Sequence, residues 1–330
     1  MSIKIIEWQD ADREGLRELY LQFPYPPYFG SPIVNDRLQA YRFRCVQRAA
    51  EASPGALLAA VNEGRLFCAA QLRRTAHISD HFGIEVANIA NEAFACDNAA
   101  GNTLVFIELI RSLRERAAKG GVAFITATAA SQAHQWIRAL EENGFRYADG
   151  FRHVTASIEE DYSTFLRNDL VMRDPVESDF HEIAYSYAHM PFPNHLLYEP
   201  EFDKGKVISL YVKRYREVHA GLGKVFVAEW EGQFAGALNG IIDHDIKCEL
   251  GIAVNHLSQG LIVHPRAAGK GVALALIACR NPWYREHGLK YGYFGSNMNN
   301  LPMIRGLEKM QTRHAGIEIS MIVCLKDRLS

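Results

Sequence analysis

The sequence contains the same pattern twice, at a nearly constant spacing. Gly64 and Gly232 stand 168 positions apart, and the segment Gly83-Ile-Glu-Val86 stands 168 positions before Gly251-Ile-Ala-Val254. Further pairs recur at 167 or 168 positions: Ala99-Ala-Gly101 with Ala267-Ala-Gly269, Ile137-Arg-Ala-Leu-Glu141 with Ile304-Arg-Gly-Leu-Glu308, and Phe23-Pro-Tyr-Pro26 with Met190-Pro-Phe-Pro193. Such an offset over many segments indicates a duplicated domain, and two copies are too few for a solenoid. We predict one domain over 1–160 and a second over 168–330.

Each copy shows the same order of hydrophobic patterns. Period-2 and period-3.6 segments predict a strand, helices, three strands, a glycine turn, a helix, a strand, a helix and a final strand. This order predicts an α/β fold, a mixed and mostly antiparallel sheet with helices on both faces.

Composition excludes several classes of function. The 330 residues are 48% hydrophobic, enough for two cores of ordinary domain size, and the formal net charge is −2. Because there is no long Lys/Arg run, nothing predicts binding of nucleic acid or of an acidic membrane.

The cysteines and the N-terminus predict a compartment. The six cysteines are scattered without a Cys-x-x-Cys pair, which favours buried free thiols over a metal site or a disulfide framework. No signal-peptide pattern and no membrane-spanning apolar run is found, so we expect a soluble, cytoplasmic protein.

The stretch from Leu261 to Leu276 carries the clearest chemistry. It predicts a strand at Leu261–Val263, a turn at Arg266–Gly271, and a helix from about Val272 to Arg280. A glycine turn before a helix presents unpaired N–H groups and the positive end of the helix dipole, which suits a phosphate or pyrophosphate. Taken alone, the pattern is equally that of an ordinary strand–turn–helix connection, and it matches neither a P-loop nor a Rossmann fingerprint.

With the motif Val263-His-Pro-Arg266-Ala-Ala-Gly269-Lys-Gly271, the chain resembles the GCN5-related N-acetyltransferase (GNAT) superfamily. That family has a hydrophobic strand followed by [Gln/Arg]-x-x-Gly-x-[Gly/Ala]. The segment Asn297-Met-Asn-Asn300-Leu-Pro-Met303 and the first copy's helix ending Leu140-Glu-Glu-Asn-Gly-Phe145 resemble it too. Because the order of elements occurs twice, the chain is similar to the tandem, mycothiol synthase-like acetyltransferases. This resemblance implies two tandem GNAT acyl-CoA N-acyltransferase domains.

The resemblance implies that acyl-CoA, usually acetyl-CoA, binds as co-substrate, with no metal. It assigns the pyrophosphate to the glycine turn and the pantetheine arm to a gap beside the preceding strand. Backbone N–H groups near Ile262, Val263 and His264 would then contact the pantetheine and stabilise the oxyanion formed from the thioester. The residues implied to bind CoA are Leu261, Ile262, Val263, Arg266, Ala267, Ala268, Gly269, Lys270, Gly271, Val272, Ala273, Asn297 and Asn300.

The two copies differ at this turn. The second has Arg266, Lys270 and Gly271, where the first has Asn98, Asn102 and Thr103. Losing two cations and a glycine weakens phosphate binding, so we assign catalysis to the C-terminal copy and expect the N-terminal copy to be degenerate. A second CoA site at Asn98, Gly101, Asn102 and Thr103 is the alternative.

Candidates for the catalytic base and acid follow from the resemblance. The family's base often precedes the [Gln/Arg] position by about ten residues, which is His256 here, with Glu249 as runner-up. A half-buried strand histidine and a solvated loop carboxylate explain these residues as well. The tyrosine that often protonates the thiolate is replaced by Leu307.

These features favour an N-acyltransferase that transfers directly from acetyl-CoA to a small-molecule amine in a ternary complex. The alternative is a CoA-binding or sensing protein with little turnover. A tRNA-dependent aminoacyl transferase is disfavoured by the absence of a basic surface. The expected assembly is a monomer with pseudo-dimeric domains or a homodimer, and the aromatic loops at 23–29 and 190–198 are expected to line the acceptor site or to pack between the domains.

Overall fold

The structure is a computed structural model, and it describes residues 3–8, 13–25, 28, 30–33, 35–53, 55–94, 102–191, 195–254 and 260–325. The chain divides into two compact units. The first comprises residues 1–150 and 316–330, and the second comprises residues 151–315.

The first unit holds a mixed, mostly antiparallel sheet that is covered by helices. Its strands are β1 (Ile3–Glu7), β2 (Leu57–Asn62), β3 (Arg65–Arg74), β4 (Val86–Phe94) and β5 (Phe124–Ala130). Its helices are α1 (Arg13–Gln22), α2 (Asn35–Ala52), α3 (Ala76–Phe82), α4 (Asn102–Lys119) and α5 (His134–Glu142). Neighbouring strands are antiparallel except β4 and β5, which run parallel. The core between sheet and helices includes the fully buried rings of Tyr20, Phe106 and Trp136.

The elements that follow repeat this order, after β6 (Arg146–Ser157) has closed the first copy. Strand β6 is followed by β7 (Leu170–Arg173), α6 (Asp179–Ala188), α7 (Lys204–Glu217), β8 (Gly223–Trp230), β9 (Gln233–Ile241) and α8 (His244–Leu250). Then come β10 (Ile252–Val254), β11 (Leu261–Val263), α9 (Val272–Glu286), β12 (Tyr291–Asn297), α10 (Leu301–Lys309) and β13 (Arg313–Cys324). The mixed α/β fold and its duplication are therefore confirmed.

A short helix in each copy was not predicted. Helices α3 and α8 stand 168 positions apart, and each ends at a left-handed glycine, Gly83 at φ 72° and Gly251 at φ 71°. Seven residues make barely two turns, too few to show a helical period. Helix α8 corrects the placement of Glu249, which was expected in a loop and lies in this helix.

The compact units do not coincide with the predicted segments 1–160 and 168–330. Residues Glu318–Cys324 of β13, at the end of the second copy, pair antiparallel with β5 in the first unit. Residues Phe151–Ser157 of β6, at the end of the first copy, pair antiparallel with β12 in the second unit. Each copy thus contributes its last strand to the other copy's unit, because ladder hydrogen bonds, and not chain continuity, define a sheet.

In the repeat, the single strand β4 of the first copy corresponds to two strands of the second copy, β10 and β11. These two strands belong to different sheets. Strand β10 pairs parallel with β12, whereas β11 pairs antiparallel with β9 in the order β11-β9-β8-β7. The chain therefore leaves one sheet at Val254 and joins another at Leu261. No helix among the described residues is long and apolar enough to cross a bilayer.

Candidate active site

The turn between β11 and α9 has the backbone that its sequence predicts. A single 3-10 turn at Pro265–Ala267 leads into Gly269 and Gly271, which both have φ of 76°. In this left-handed region a side chain is strained, so glycine is strongly favoured at both positions. No heavy atom lies within 4 Å of where a Cβ on Gly269 would stand, so this face of the turn is open.

The N-terminus of α9 is left without a side-chain cap. Gly271 is its N-cap residue, and the helical hydrogen bonds begin with Ala275 N donating to Gly271 O at 3.1 Å. The amides of Val272, Ala273 and Leu274 therefore precede the first bond of the helix. With the positive end of the 15-residue helix behind them, these amides form a site suited to an anion.

The predicted cations of the turn are held by neighbouring groups. Arg266 donates to the backbone carbonyl of Phe234 in β9, and the Nζ of Lys270 lies 5.2 Å from the ring centroid of Trp230. Arg266 therefore braces the turn against the sheet, and Lys270 lies over an aromatic face. Both residues are exposed, so both charges still contribute a positive potential at the turn.

A third cation at the turn was missed by the sequence reasoning. Arg167 Nη1 donates to the backbone carbonyl of Lys270 at 2.7 Å, and its Nε and Nη2 donate to the two carboxylate oxygens of Asp169 at 2.8 and 2.6 Å. Its Cδ would lie 3.6 Å from a Cβ on Gly271. Because Arg167 stands 103 positions before Lys270, no local motif could have indicated it.

The small residues of the motif have different environments. Ala267 is fully buried in the core of the second unit, together with Val272, whereas Ala268 is exposed. Ala273 is half-buried. Among these residues, only Ala268 and Ala273 therefore have surface that a ligand could contact in this arrangement.

The hydrogen bonds of β11 to β9 alternate along the strand. His264 N donates to Ala235 O at 2.9 Å, and Asn239 N donates to Gly260 O at 2.7 Å. In an antiparallel pair, hydrogen-bonded and non-hydrogen-bonded residues alternate. The amides of Ile262 and His264 are therefore directed to β9, which differs from the expectation that both would contact pantetheine.

Leu261 and Val263 present the free edge of β11. They occupy the non-hydrogen-bonded positions of the ladder, so their N–H and C=O groups are directed away from β9. Strand β11 is the edge strand of its four-stranded sheet, and the parallel ladder of β12 with β10 ends at Tyr293. Open backbone groups at such an edge can pair with an extended ligand that carries amides.

His264, directly after β11, is held by both ring nitrogens. Its Nδ1 accepts the N–H of Arg266 at 3.3 Å, and its Nε2 lies 3.4 Å from an Oε2 of Glu182 in α6. Its ring stacks on Tyr185 with centroids 5.3 Å apart, and its side chain is 11% exposed. Burial, and then the charge of Arg266, hold the pKa of His264 below its ordinary value, while Glu182 opposes this. With both ring nitrogens engaged, the imidazole positions the start of the turn.

The structure describes only one of the two predicted candidates for the catalytic base. His256 lies outside the described residues, so its role stays a prediction. Glu249 is half-buried on the last turn of α8, whose N-cap Asp243 accepts a hydrogen bond from Ile246 N at 2.9 Å. The carboxylate is thus carried by a helix that packs against β10, and its role also stays a prediction.

The segment after β12 is shaped by its asparagines. Asn297 is buried and its Oδ1 accepts from Asn299 N at 2.9 Å, while Asn300 caps α10 by accepting from Met303 N at 3.2 Å. Both side-chain carbonyls therefore hold backbone amides. Leu307 is 2% exposed in the core of the second unit, where its side chain offers no proton.

The corresponding turn of the first copy is largely outside the described residues. Asn98 and Gly101 fall within the undescribed residues 95–101, Asn102 is the first residue of α4, and Thr103 is a half-buried residue of the same helix. The prediction that this copy is degenerate stays a prediction.

Comparison with known proteins agrees with this arrangement. Residues 184–311 match the family model described as Acetyltransferase (GNAT) family, and no curated protein matches the sequence significantly. A GCN5-related N-acetyltransferase from Sphaerobacter thermophilus superimposes with a TM-score of 0.60 at 10% identity, over 98% of this chain and 96% of that one. A tandem GNAT protein from the clavulanic acid biosynthesis pathway gives 0.51 at 13% identity, over 99% of both chains.

A third solved structure shows the same fold within a larger protein. The GCN5-related glucosamine N-acetyltransferase region of a fungal multi-domain GH3 β-N-acetylglucosaminidase gives a TM-score of 0.56 at 10% identity, over 97% of this chain and 38% of that one. The finer likeness to mycothiol synthase-like enzymes stays a prediction. Residues 184–311 are therefore similar to the acetyltransferases of the GNAT family, and the chain as a whole has the fold of solved GNAT structures, one of them a tandem protein.

Proposed function

We propose that this protein is an acyl-CoA-dependent N-acyltransferase that uses acetyl-CoA and a small-molecule amine, with its active site in the C-terminal copy. One observation carries the proposal. The uncapped N-terminus of α9 and the free edge of β11 are joined by a turn with two left-handed glycines, within the segment that matches the GNAT family.

The residues of this site fit the two ends of CoA. The amides of Ala273 and Leu274 supply donors for the pyrophosphate, and Lys270 adds positive charge nearby. Arg167, whose charge is balanced by Asp169, holds the turn through the carbonyl of Lys270. The edge groups of Leu261 and Val263 supply donors and acceptors for the amides of the pantetheine arm. We take acetyl-CoA as the donor because the family generally uses it.

The chemistry proposed is direct acyl transfer. The amine nitrogen forms a bond to the thioester carbonyl carbon while a base takes its proton, and the C–S bond then breaks to release the CoA thiolate. An edge amide of Leu261 or Val263 donates to the carbonyl oxygen as negative charge develops there. His256 is our first candidate for the base and Glu249 the second.

The departing thiolate is protonated by water in this proposal. Leu307 occupies the position where a tyrosine is often found, and it is buried among apolar side chains that carry no proton. Solvent can supply the proton because a thiol has a pKa of about 8.5, above neutral, so the released thiolate takes up a proton at neutral pH.

The same observation at Leu307 favours a second candidate function. A protein that binds acetyl-CoA and does not turn it over would need the turn and the edge but no acid. We propose this CoA-binding or sensing role as the alternative, and in both cases we expect a cytoplasmic monomer or homodimer without nucleic-acid or membrane partners.

Steady-state release of free CoA separates the two. The protein is incubated with acetyl-CoA and a panel of small primary amines, while calorimetry measures acetyl-CoA binding. Amine-dependent release of CoA supports the enzyme. Tight binding of acetyl-CoA without turnover of any amine would support the sensing role, and failure to bind acetyl-CoA would overturn both.

A further inference from the structure

Asn239, in the middle of β9, is a buried polar side chain of the second unit. It is fully buried, and neither its Oδ1 nor its Nδ2 has a hydrogen-bond partner among the described residues. Its backbone N–H is satisfied by Gly260 O. A buried amide with two unmade hydrogen bonds destabilises the folded state, so an apolar residue would be favoured here if stability alone mattered.

Asn239 lies on the face of the sheet that is turned away from α9. A Cβ on Gly236 would lie 3.1 Å from Val272, and one on Gly240 would lie 2.8 Å from Trp283, so those positions of β9 face α9. Because side chains alternate along a strand, Asn239 faces the opposite side.

That opposite face carries α6 and α7. The hydroxyl of Tyr215 in α7 lies 3.4 Å from the backbone oxygen of Ala237, two residues from Asn239. The ring of Tyr187 in α6 packs against Tyr215, with centroids 6.3 Å apart. Ile262, opposite Ala237, shares this face, so the face on which Asn239 lies carries aliphatic side chains and the rings and hydroxyls of two tyrosines.

The strand register places Asn239 beside the proposed point of acyl transfer. Its partner is Gly260, the residue before Leu261, whose N–H lies on the free edge of β11. CoA approaches this edge from the N-terminus of α9, so a group that meets Asn239 comes from the other face of the sheet. Under the proposed function, the second substrate that remains for this face is the acceptor amine.

We propose that Asn239 is an acceptor-binding residue that selects a primary amine carrying a neutral group with both a donor and an acceptor, such as a carboxamide. This inference rests on the proposed function. A side-chain amide has one carbonyl and one NH₂, so it complements a second amide. The residues opposite Asn239 in the two neighbouring strands, Val225 and Gly260, carry no charge. The amide is closed to solvent, so the contact requires a local opening of this face.

Paired amines and one variant test the inference. Glycinamide and isobutylamine are similar in size and differ in hydrogen bonding and in the basicity of the amine, so each variant is compared with the wild type for the same amine at one pH, and longer homologues of each extend the series. The wild type should prefer the amide in kcat/KM, and Asn239→Leu should lower kcat/KM for the amide by about tenfold through KM, leaving the alkylamine unchanged. The variant should bind acetyl-CoA as the wild type does and melt at an equal or higher temperature. Asn62→Leu, which removes a buried amide of β2, is the matched control and should keep the preference.

The failures are distinguishable. If the wild type turns over amines and Asn239→Leu keeps the preference, or loses stability and acetyl-CoA affinity together, Asn239 is a structural residue and the inference is overturned while the proposed function stands. If the wild type turns over no amine, the enzymatic proposal fails. The role of Asn239 is then tested by the change in melting temperature that each of the paired amines causes in the presence of CoA. A shift by the amide that Asn239→Leu abolishes supports the inference, and no such shift overturns it.

Discussion

Arg167 donates a 2.7 Å hydrogen bond to the backbone carbonyl of Lys270, across 103 positions of sequence. The carbonyl belongs to the residue between the two left-handed glycines, so the bond fixes the central peptide of the turn. Asp169 holds the guanidinium of Arg167 in a fork of two hydrogen bonds, which raises the pKa of Arg167 and lowers that of Asp169. The segment before β7 therefore supports the proposed pyrophosphate site.

Removing this support should weaken CoA binding. Arg167→Ala should raise the dissociation constant of CoA roughly three- to tenfold, because one hydrogen bond to the turn is lost and the carboxylate of Asp169 is left without its cation near the proposed site. Calorimetry measures this directly. Arg216→Ala, which breaks a similar forked ion pair with Glu177 on the surface, is the matched control and should leave the affinity unchanged. Equal effects of the two variants would mean that Arg167 contributes only to general charge.

The open face of Gly269 predicts a graded response to substitution. Gly269→Ala adds only the strain of a left-handed residue, about 1–2 kcal/mol, because no atom meets its Cβ. Gly269→Glu adds a carboxylate at the proposed pyrophosphate site and should lower CoA affinity at least roughly tenfold more than Ala does. Gly288→Glu, with φ of 73° and equally open surroundings at the other end of α9, is the control. Retained CoA affinity in Gly269→Glu would place the site elsewhere.

Much of this turn could be predicted from the sequence, because its requirements are local. The need for left-handed backbone at Gly269 and Gly271, and the start of α9 at Val272, follow from residues within one short stretch. The brace from Arg167 and the exchange of β6 and β13 could not be predicted. A hydrophobic period shows which residues form a strand, and it does not show which sheet the strand joins.

The edge of β11 shows a finer limit of sequence reasoning. The sequence predicts that the amides near Ile262, Val263 and His264 face the pantetheine. In the structure, every second residue of β11 bonds to β9, so the amides that face away from β9 are those of Leu261 and Val263. Which residues of β11 bond to β9 depends on the register of the two strands, and this register is a property of the tertiary structure. Similarly, Asn239 carries no motif, and only its burial without a partner draws attention to it.

The environment of His264 predicts opposite effects of two substitutions on its titration. Glu182→Gln removes the charge that favours the imidazolium and should lower the pKa of His264 further, whereas Arg266→Gln should raise it. NMR titration of the imidazole C–H resonances measures both. Because the folded pKa lies below the unfolded value of about 6.5, His264 destabilises the fold progressively as pH falls through that value. His264→Gln should therefore lose less stability than the wild type between pH 7 and 5. A change of the pKa of His264 in the same direction in Glu182→Gln and Arg266→Gln would contradict this environment.

The close approach of α9 to β9 predicts a stability effect at Gly240. A Cβ there would lie 2.8 Å from Cζ3 of Trp283 and 3.1 Å from Cε2 of Phe226, so Gly240→Ala should destabilise the protein by about 1–3 kcal/mol. Urea denaturation followed by tryptophan fluorescence gives the free energy of unfolding. Gly292→Ala in β12 meets its nearest side-chain atom at 3.4 Å, an ordinary contact, and should change the free energy of unfolding much less. Equal losses would show that the contact with Trp283 is not what limits this position.

The base is the part of the proposed mechanism that kinetics can assign most sharply. A base must be unprotonated to accept the proton of the amine, so the rate should fall as the pH drops below its pKa. If His256 is the base, His256→Ala should lose the rise of kcat/KM between about pH 5.5 and 7.5, and Glu249→Gln should retain it. If the rise persists in His256→Ala and disappears in Glu249→Gln, the carboxylate on α8 is the base. Persistence in both variants would leave water as the proton acceptor, with the turn and the edge of β11 contributing binding and polarisation alone.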